Sequence, residues 1–287
     1  MRVELGDVTL AVADSAAGAG GGPGGEDRTV LLVHGFPDTH ACWRHQVPAL
    51  NAAGYRTIAP DLRGFGASGR PEGTGAYGVD RSVTDLLELL DRLDLARVHL
   101  VGHDWGSGIV QSLAMTAPDR VRSLSLLSVG HLGALMTAGW EQRQRSWYIQ
   151  LFQLEGLAEE WLSRDDFANL REMLTEHPDR EEAVSRMREP GALTAALSLY
   201  RTGLPSEVLF GPELPLPSLP GPVLGLWSTD DRFLTERSMT GTEKHVAGSW
   251  RYERVEGGHW LQLEAPDRVN TLLLDFLAGT TAGSANG

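Results

Sequence analysis

The sequence predicts an α/β fold, with a mostly parallel central sheet flanked by helices and an inserted helical cap. Three observations predict it. Short apolar runs alternate with amphipathic segments from residue 29 to 129, helix alone follows from about 131 to 204, and strand and helix alternate again from Val223. This divides the chain into a core of residues 1–129 and 217–287 and a cap of residues 130–216.

Element by element, "VELGDVTLAVA" and "TVLLVHG" read as an antiparallel pair, joined by the glycine-rich "GAGGGPGGEDR", which is too polar and flexible to pack. A helix near "ACWRHQVPALNAAG" leads to the strand "YRTIAP". A second helix covers 79–94, with Val83, Leu86, Leu87, Leu90 and Leu93 on one face. The strand "RVHLVG", a helix from Trp105 and the strand "VRSLSLLSV" complete the first half. Runs so uniformly apolar belong to strands covered on both faces, as helix crossovers between parallel strands provide.

Four helical stretches then follow: "WEQRQRSWYIQLFQ", "GLAEEWLSRDDFANLREML", "DREEAVSRMRE" and "ALTAALSLYRTGL". A proline-rich passage returns the chain to the strand "VLGLWS". "WRYERVEG" reads as the last strand, "PDRVNTLLLDFLAG" as the last helix and "TTAGSANG" as a disordered tail.

Composition narrows the function. The 287 residues, 41% of them hydrophobic, suffice for one large core, and the single cysteine, Cys42, can form no internal disulfide. The N-terminus alternates like a strand and lacks the apolar stretch of a secretion signal, and no later run is long enough to span a bilayer. A cytoplasmic protein, monomer or homodimer, is expected, without membrane partner, metal or cofactor. A formal charge of −13 argues against nucleic acid, which calls for clustered Lys and Arg. "GFGASG", 64–69, matches the glycine spacing of a dinucleotide loop but does not sit directly between a strand and a helix, so it is read as a turn.

"VGHDWGSG" carries the chemistry. It has the frame Gly, any residue, nucleophile, any residue, Gly of a sharp strand-to-helix turn, with Asp104 where serine is usual. Asp231 in "STDDRFL" and His259 in "EGGHW" follow later strands, in the order nucleophile, acid, base. Loops at the carboxyl ends of parallel strands converge, so the three can meet, with Asp230 the competitor for the acid. "HGFP", 34–37, stands where an oxyanion loop is expected, with the Phe36 and Trp105 backbone N–H groups as donors. Pro37 restricts Phe36 to an extended conformation, and a cis bond is one way of fixing that donor. His34, Pro37, Trp147 and Trp260 are the further residues expected around the substrate.

An aspartate changes the reaction. Serine needs a base before it can attack, whereas a carboxylate, with an ordinary pKa of about 4, is charged at neutral pH. Its natural target is a saturated carbon with a strained or good leaving group, which yields an alkyl ester of the protein. His259, oriented by Asp231, then activates a water that attacks the ester carbonyl, and the oxyanion donors stabilise the result. A departing epoxide oxygen calls for a proton donor, and the cap offers Tyr148 and Tyr200.

The chain resembles the epoxide hydrolase branch of the α/β-hydrolase superfamily over nearly all of residues 29–278. "HGFPDTHACWR", "PDLRGFGASGRP", "VGHDWGSG", "YIQLFQLEGLAE" and "EGGHWLQLEAPDRVN" carry the resemblance. It implies the α/β-hydrolase fold, Asp104 as nucleophile, Asp231 with His259 as the water-activating pair, Tyr148 and Tyr200 on the epoxide oxygen, and an epoxide and water as substrates. Haloalkane dehalogenases share "GHDWG" but commonly carry Asn after the His-Gly pair, where this chain has Phe36; Trp140 or Trp147 would have to replace that donor. Fluoroacetate dehalogenases share "HGFP" but carry arginines after the nucleophile, where this chain has Trp105 and Gly106. A non-catalytic receptor on the same fold would have no use for the intact triad.

Overall fold

The computed structural model describes residues 1–17, 26–211 and 215–283. β1 (Arg2–Glu4) and β2 (Thr9–Asp14) form an antiparallel hairpin, closed by the Leu5 N–H donating to the Val8 carbonyl at 2.9 Å. β3 (Thr29–Val33) is followed by a 3-10 turn at His40–Trp43 and by α1 (Gln46–Ala52), and then by β4 (Arg56–Pro60). α2 (Val79–Arg92), β5 (Val98–His103), α3 (Trp105–Thr116) and β6 (Val121–Leu127) continue the alternation.

Seven helices then separate β6 from β7: α4 (Leu132–Thr137), α5 (Trp140–Arg145), α6 (Trp147–Phe152), α7 (Leu157–Met173), α8 (Arg180–Met187), α9 (Ala192–Gly203) and α10 (Ser206–Phe210). β7 (Val223–Ser228), α11 (Glu236–Thr240), β8 (Trp250–Val255), α12 (Leu261–Glu264) and α13 (Pro266–Gly283) close the chain.

The sheet has eight strands in the order β1-β2-β4-β3-β5-β6-β7-β8, parallel from β4 to β8. Every residue of β3, β5 and β7 is buried, as continuous apolar runs in a two-sided sheet require. Placing β5 at the centre puts the turn after it in the crevice between neighbouring strand ends.

Several expectations are corrected. "VELGDVTLAVA" folds on itself at Gly6–Asp7, and β2 pairs with β4, not with "TVLLVHG", whose wholly apolar strand takes an interior place between β4 and β5. On α2, Leu89 is buried while Leu87 and Leu93 are only half-buried, because the same face also buries Asp85 in a 2.6 Å ion pair with Arg63. α7 breaks at Arg164–Phe167, where Asp165, Asp166 and Phe167 have positive φ. α13 continues through the first residues of the expected tail to Gly283. The glycine run at 18–25 lies outside the described residues.

Candidate active site

The site is built at the carboxyl end of β5. Asp104 joins β5 to α3 with φ 53° and ψ −122°, a backbone conformation that side chains disfavour. Two glycines let the turn close. A Cβ on Gly106 would strike the Val33 carbonyl, and one on Gly35 would overlap the Asp104 carboxylate, so both positions are fixed by space. With Gly35 out of the way, the Phe36 N–H donates to Asp104 Oδ1 at 2.8 Å. The Phe36–Pro37 bond is cis. Trp105 opens α3, where backbone N–H groups have no partner within the helix.

His259 stands in the loop after β8. Glu264 shapes that loop by accepting from the Gly258 and Trp260 N–H groups at 2.8 and 3.0 Å. His103 Nε2 and Ser128 Oγ both bond the His259 carbonyl at 2.9 Å and fix its backbone from below. Its Nδ1 meets Asp231 Oδ2 at 2.9 Å, and its Nε2 lies 3.6 Å from Asp104 Oδ2. Asp231 Oδ1 accepts from the Phe233 and Leu234 N–H groups at 2.8 and 2.9 Å. Of the two candidate aspartates it is Asp231 that bonds the His259 ring; Asp230 is exposed and its carboxylate accepts from Thr229.

Electrostatics follow from this packing. Burial disfavours a charged His259, but the carboxylates of Asp231 and Asp104 on its two nitrogens outweigh it and raise its pKa to about 10. Burial likewise works against a charged Asp231, yet His259 and the two N–H donors hold its pKa below the ordinary 3.8. His103 is held neutral, its pKa lowered to about 4 by burial and by the neighbouring His259.

A histidine whose pKa rises from 6.5 to about 10 on folding stabilises fully below pH 6.5, and this contribution is lost as pH climbs through 10. Thermal melts between pH 7 and 10 should therefore fall more steeply for the wild-type protein than for His259→Gln. Equal slopes would contradict the imidazolium.

Asp104 opens onto a cavity of about 140 Å³ walled by Trp105, Tyr148, Ile149, Tyr200, Leu204 and Phe233. Tyr148 and Tyr200 stand edge to face with ring centroids 6.1 Å apart, and Tyr200 packs on Trp105 at 4.9 Å. Burial pushes both phenols well above their ordinary pKa, and the Asp104 carboxylate adds to it. Both remain hydroxyl donors at any working pH.

None of the four expected pocket residues lines this cavity; Pro37 is buried in the turn after β3. His34 is buried beneath the turn, with Nε2 accepting from the Leu62 N–H at 3.0 Å and Nδ1 on the Gly35 carbonyl at 2.9 Å, so its ring ties two loops together. Trp260 packs between His177 and His259, with centroids at 4.5 and 5.0 Å, behind the base and away from the cavity. Trp147 is 58% exposed and lines, with Trp161, a neighbouring outer groove that shares Tyr148 and Phe233 with the cavity but leaves Trp147 outside it. Trp140, 71% exposed, is also absent from the cavity wall.

The sequence reading missed Phe233, which packs on both Tyr148 and His259 at 5.5 and 5.0 Å. It also missed the α3 residues Gly108, Gln111, Ser112 and Met115 that extend the wall. Their spacing from Asp104, at helical intervals on one face, was the available signal. Among the described residues no group of three or more His, Cys, Asp or Glu is placed to hold a metal ion, and no helix is long and apolar enough to cross a membrane.

Comparison with known proteins agrees with this architecture. Residues 28–266 match the alpha/beta hydrolase fold family. The chain is 33% identical to an AB hydrolase superfamily protein, YfhM, of Bacillus subtilis and 33% identical to epoxide hydrolase A of Mycobacterium tuberculosis, in each case over 96% of both chains. Among solved structures, the epoxide hydrolase of Bacillus megaterium in complex with an inhibitor superposes with a TM-score of 0.84 at 27% identity, covering 97% of this chain and all of that one. With the strand order, the aspartate at the turn and these likenesses together, the chain belongs to the alpha/beta hydrolase fold family, in its epoxide hydrolase branch.

Proposed function

We propose that the protein hydrolyses an epoxide to a vicinal diol through an ester on Asp104. One observation carries this reading: the Asp104 carboxylate shares a mostly apolar cavity with the two tyrosine side chains, while His259 approaches the same carboxylate at 3.6 Å.

The first step follows from how the two Asp104 oxygens differ. Oδ1 is held by the Phe36 N–H, which leaves Oδ2 to attack an epoxide carbon. The Oδ2–carbon bond forms, the carbon–oxygen bond of the ring breaks, and its electron pair goes to the epoxide oxygen, which takes a proton from Tyr148 or Tyr200. Alkylation removes the charge of Asp104, one of the two carboxylates that hold His259 protonated, so the imidazole moves toward the neutral form that the next step needs.

His259 Nε2 then takes a proton from water, whose oxygen attacks the Asp104 Cγ. The electron pair collects on Oδ1, facing the Phe36 N–H with the Trp105 N–H as second donor. Collapse breaks the Cγ–Oδ2 bond, the leaving oxygen takes that proton back from His259, and Asp104 keeps the oxygen from water. The proton that His259 sheds on alkylation restores the tyrosine, and the second proton of the water passes from Asp104 to the imidazole, so every group returns to its starting state.

A single turnover of styrene oxide by excess protein in oxygen-labelled water tests this sequence. The expected product is an unlabelled phenylethanediol, with the label on Asp104. Label in the first diol molecule would mean direct attack by water and would remove the ester. The halide alternative has less support, because Phe36 offers no side-chain donor and neither Trp140 nor Trp147 lines the cavity.

A further inference from the structure

The cavity does not end beside Asp104. Its floor is one face of α3, with Asp104, Trp105, Gly108, Gln111, Ser112 and Met115 in succession. From Asp104 to Met115 is eleven steps of helix, about 16 Å. The opposite wall is supplied by Leu132, Leu135 and Leu216 at the two ends of the helical insertion. Lining residues spread over that length make the cavity a slot that runs along α3. Its inner end, around Asp104, Tyr148 and Tyr200, is buried, whereas Ser112, Met115, Leu135 and Leu216 are half-buried.

The slot's chemistry is as narrow as its shape. Among the described residues that line it, Asp104 alone is charged. The Gln111 amide nitrogen is occupied by the Gly130 carbonyl at 3.1 Å, and Gln142 is occupied by Phe233 and Thr235 backbone groups at 2.9 and 2.8 Å. The Ser112 and Ser146 hydroxyls also face it, but a charged group along the slot would lose its hydration without gaining an oppositely charged partner beyond Asp104.

Gly108 sits mid-slot and is unlike the other glycines of the turn. A Cβ there would meet nothing within 4 Å, so no packing forbids a side chain. The backbone does not call for glycine either, since Gly108 lies inside α3 and is not among the residues with positive φ. Glycine weakens a helix interior, so its presence here comes at a cost that packing and backbone geometry do not explain. Open space over the helix does explain it.

We infer that Gly108 is a specificity-determining residue that keeps this slot open, and that the substrate is a neutral, unbranched aliphatic epoxide with the ring at or next to the end of its chain. The chain lies along α3 while the ring meets Asp104, Tyr148 and Tyr200. This rests on the epoxide reading above and adds the substrate class to it.

The test is kcat/KM for the terminal epoxides of propane, butane, octane and dodecane, with wild-type protein, Gly108→Ala and Gly108→Leu. In the wild type each methylene taken into the slot should raise kcat/KM, by up to about fourfold. Gly108→Leu should lower the octane-to-propane ratio at least tenfold, with Gly108→Ala between. A wild-type value that stays flat or falls from propane to octane overturns the inference, and so does an unchanged ratio in Gly108→Leu. Should the leucine variant fail to fold, Gly108→Ala, which adds one methyl group into open space, must still lower the ratio.

Calorimetric titration with butanol, octanol and dodecanol separates the slot from the reaction. If no epoxide is opened but longer alkanols bind more tightly to the wild type and lose that advantage in the variants, the slot stands and the reaction assignment falls. If epoxides are opened with no chain-length preference, the reverse holds.

Discussion

A His259→Gln variant is expected to react once with an epoxide and stop. Asp104 keeps its attacking oxygen and its Phe36 donor, while the group that takes the proton from water is gone. Mass spectrometry of the intact variant after exposure to styrene oxide should show one added epoxide per chain, and peptide mapping should place it on Asp104. Steady-state turnover should fall about 10²–10⁴-fold, the usual contribution of a general base. Full turnover without an adduct would dismiss His259 as the base. Asp231→Asn should give a milder form of the same defect, because it weakens the charge that orients the imidazole at 2.9 Å.

The second large effect is expected from the tyrosines. Burial and the Asp104 carboxylate keep both phenols protonated, so they reach the epoxide as donors and meet an oxygen that gains charge as the ring opens. Tyr148→Phe or Tyr200→Phe leaves one donor and should slow ester formation by roughly tenfold to a hundredfold, since a hydrogen bond to a charged group is worth about 1.5–3 kcal/mol. The double variant removes both and should bring ester formation close to the background rate, with melting temperature little changed because the apolar ring contacts survive. Rapid-quench mass spectrometry of the ester on Asp104 follows that step directly. A double variant as fast as the wild type would transfer the donor role to other groups.

Much of the fold could be read locally. β3, β5 and β7 are mostly apolar and buried from end to end because both of their faces are covered; their polar exceptions, Thr29, His99, His103 and Ser228, are buried with them. Asp104, Asp231 and His259, which the structure brings together, could be picked out because each follows a strand. What could not be read depended on non-local pairing or on rotation about a helix. β2 finds β4 across more than forty residues, and no local pattern records that choice. In α6, Trp147 and Tyr148 differ by one residue, about 100° around the axis; that rotation places the tyrosine in the wall shared by the cavity and the outer groove and leaves the tryptophan on the groove side alone. His34 follows a strand just as the triad members do, but its ring turns downward to the Leu62 N–H.

The left-handed backbone at Asp104 has a consequence for stability. Such a conformation costs about 1–3 kcal/mol in a residue with a side chain, and glycine would relieve it. A substitution that relieves it would also remove the Phe36 N–H bond at 2.8 Å and the charge that faces His259 at 3.6 Å, so heat resistance and the nucleophile are not simple rivals at this position.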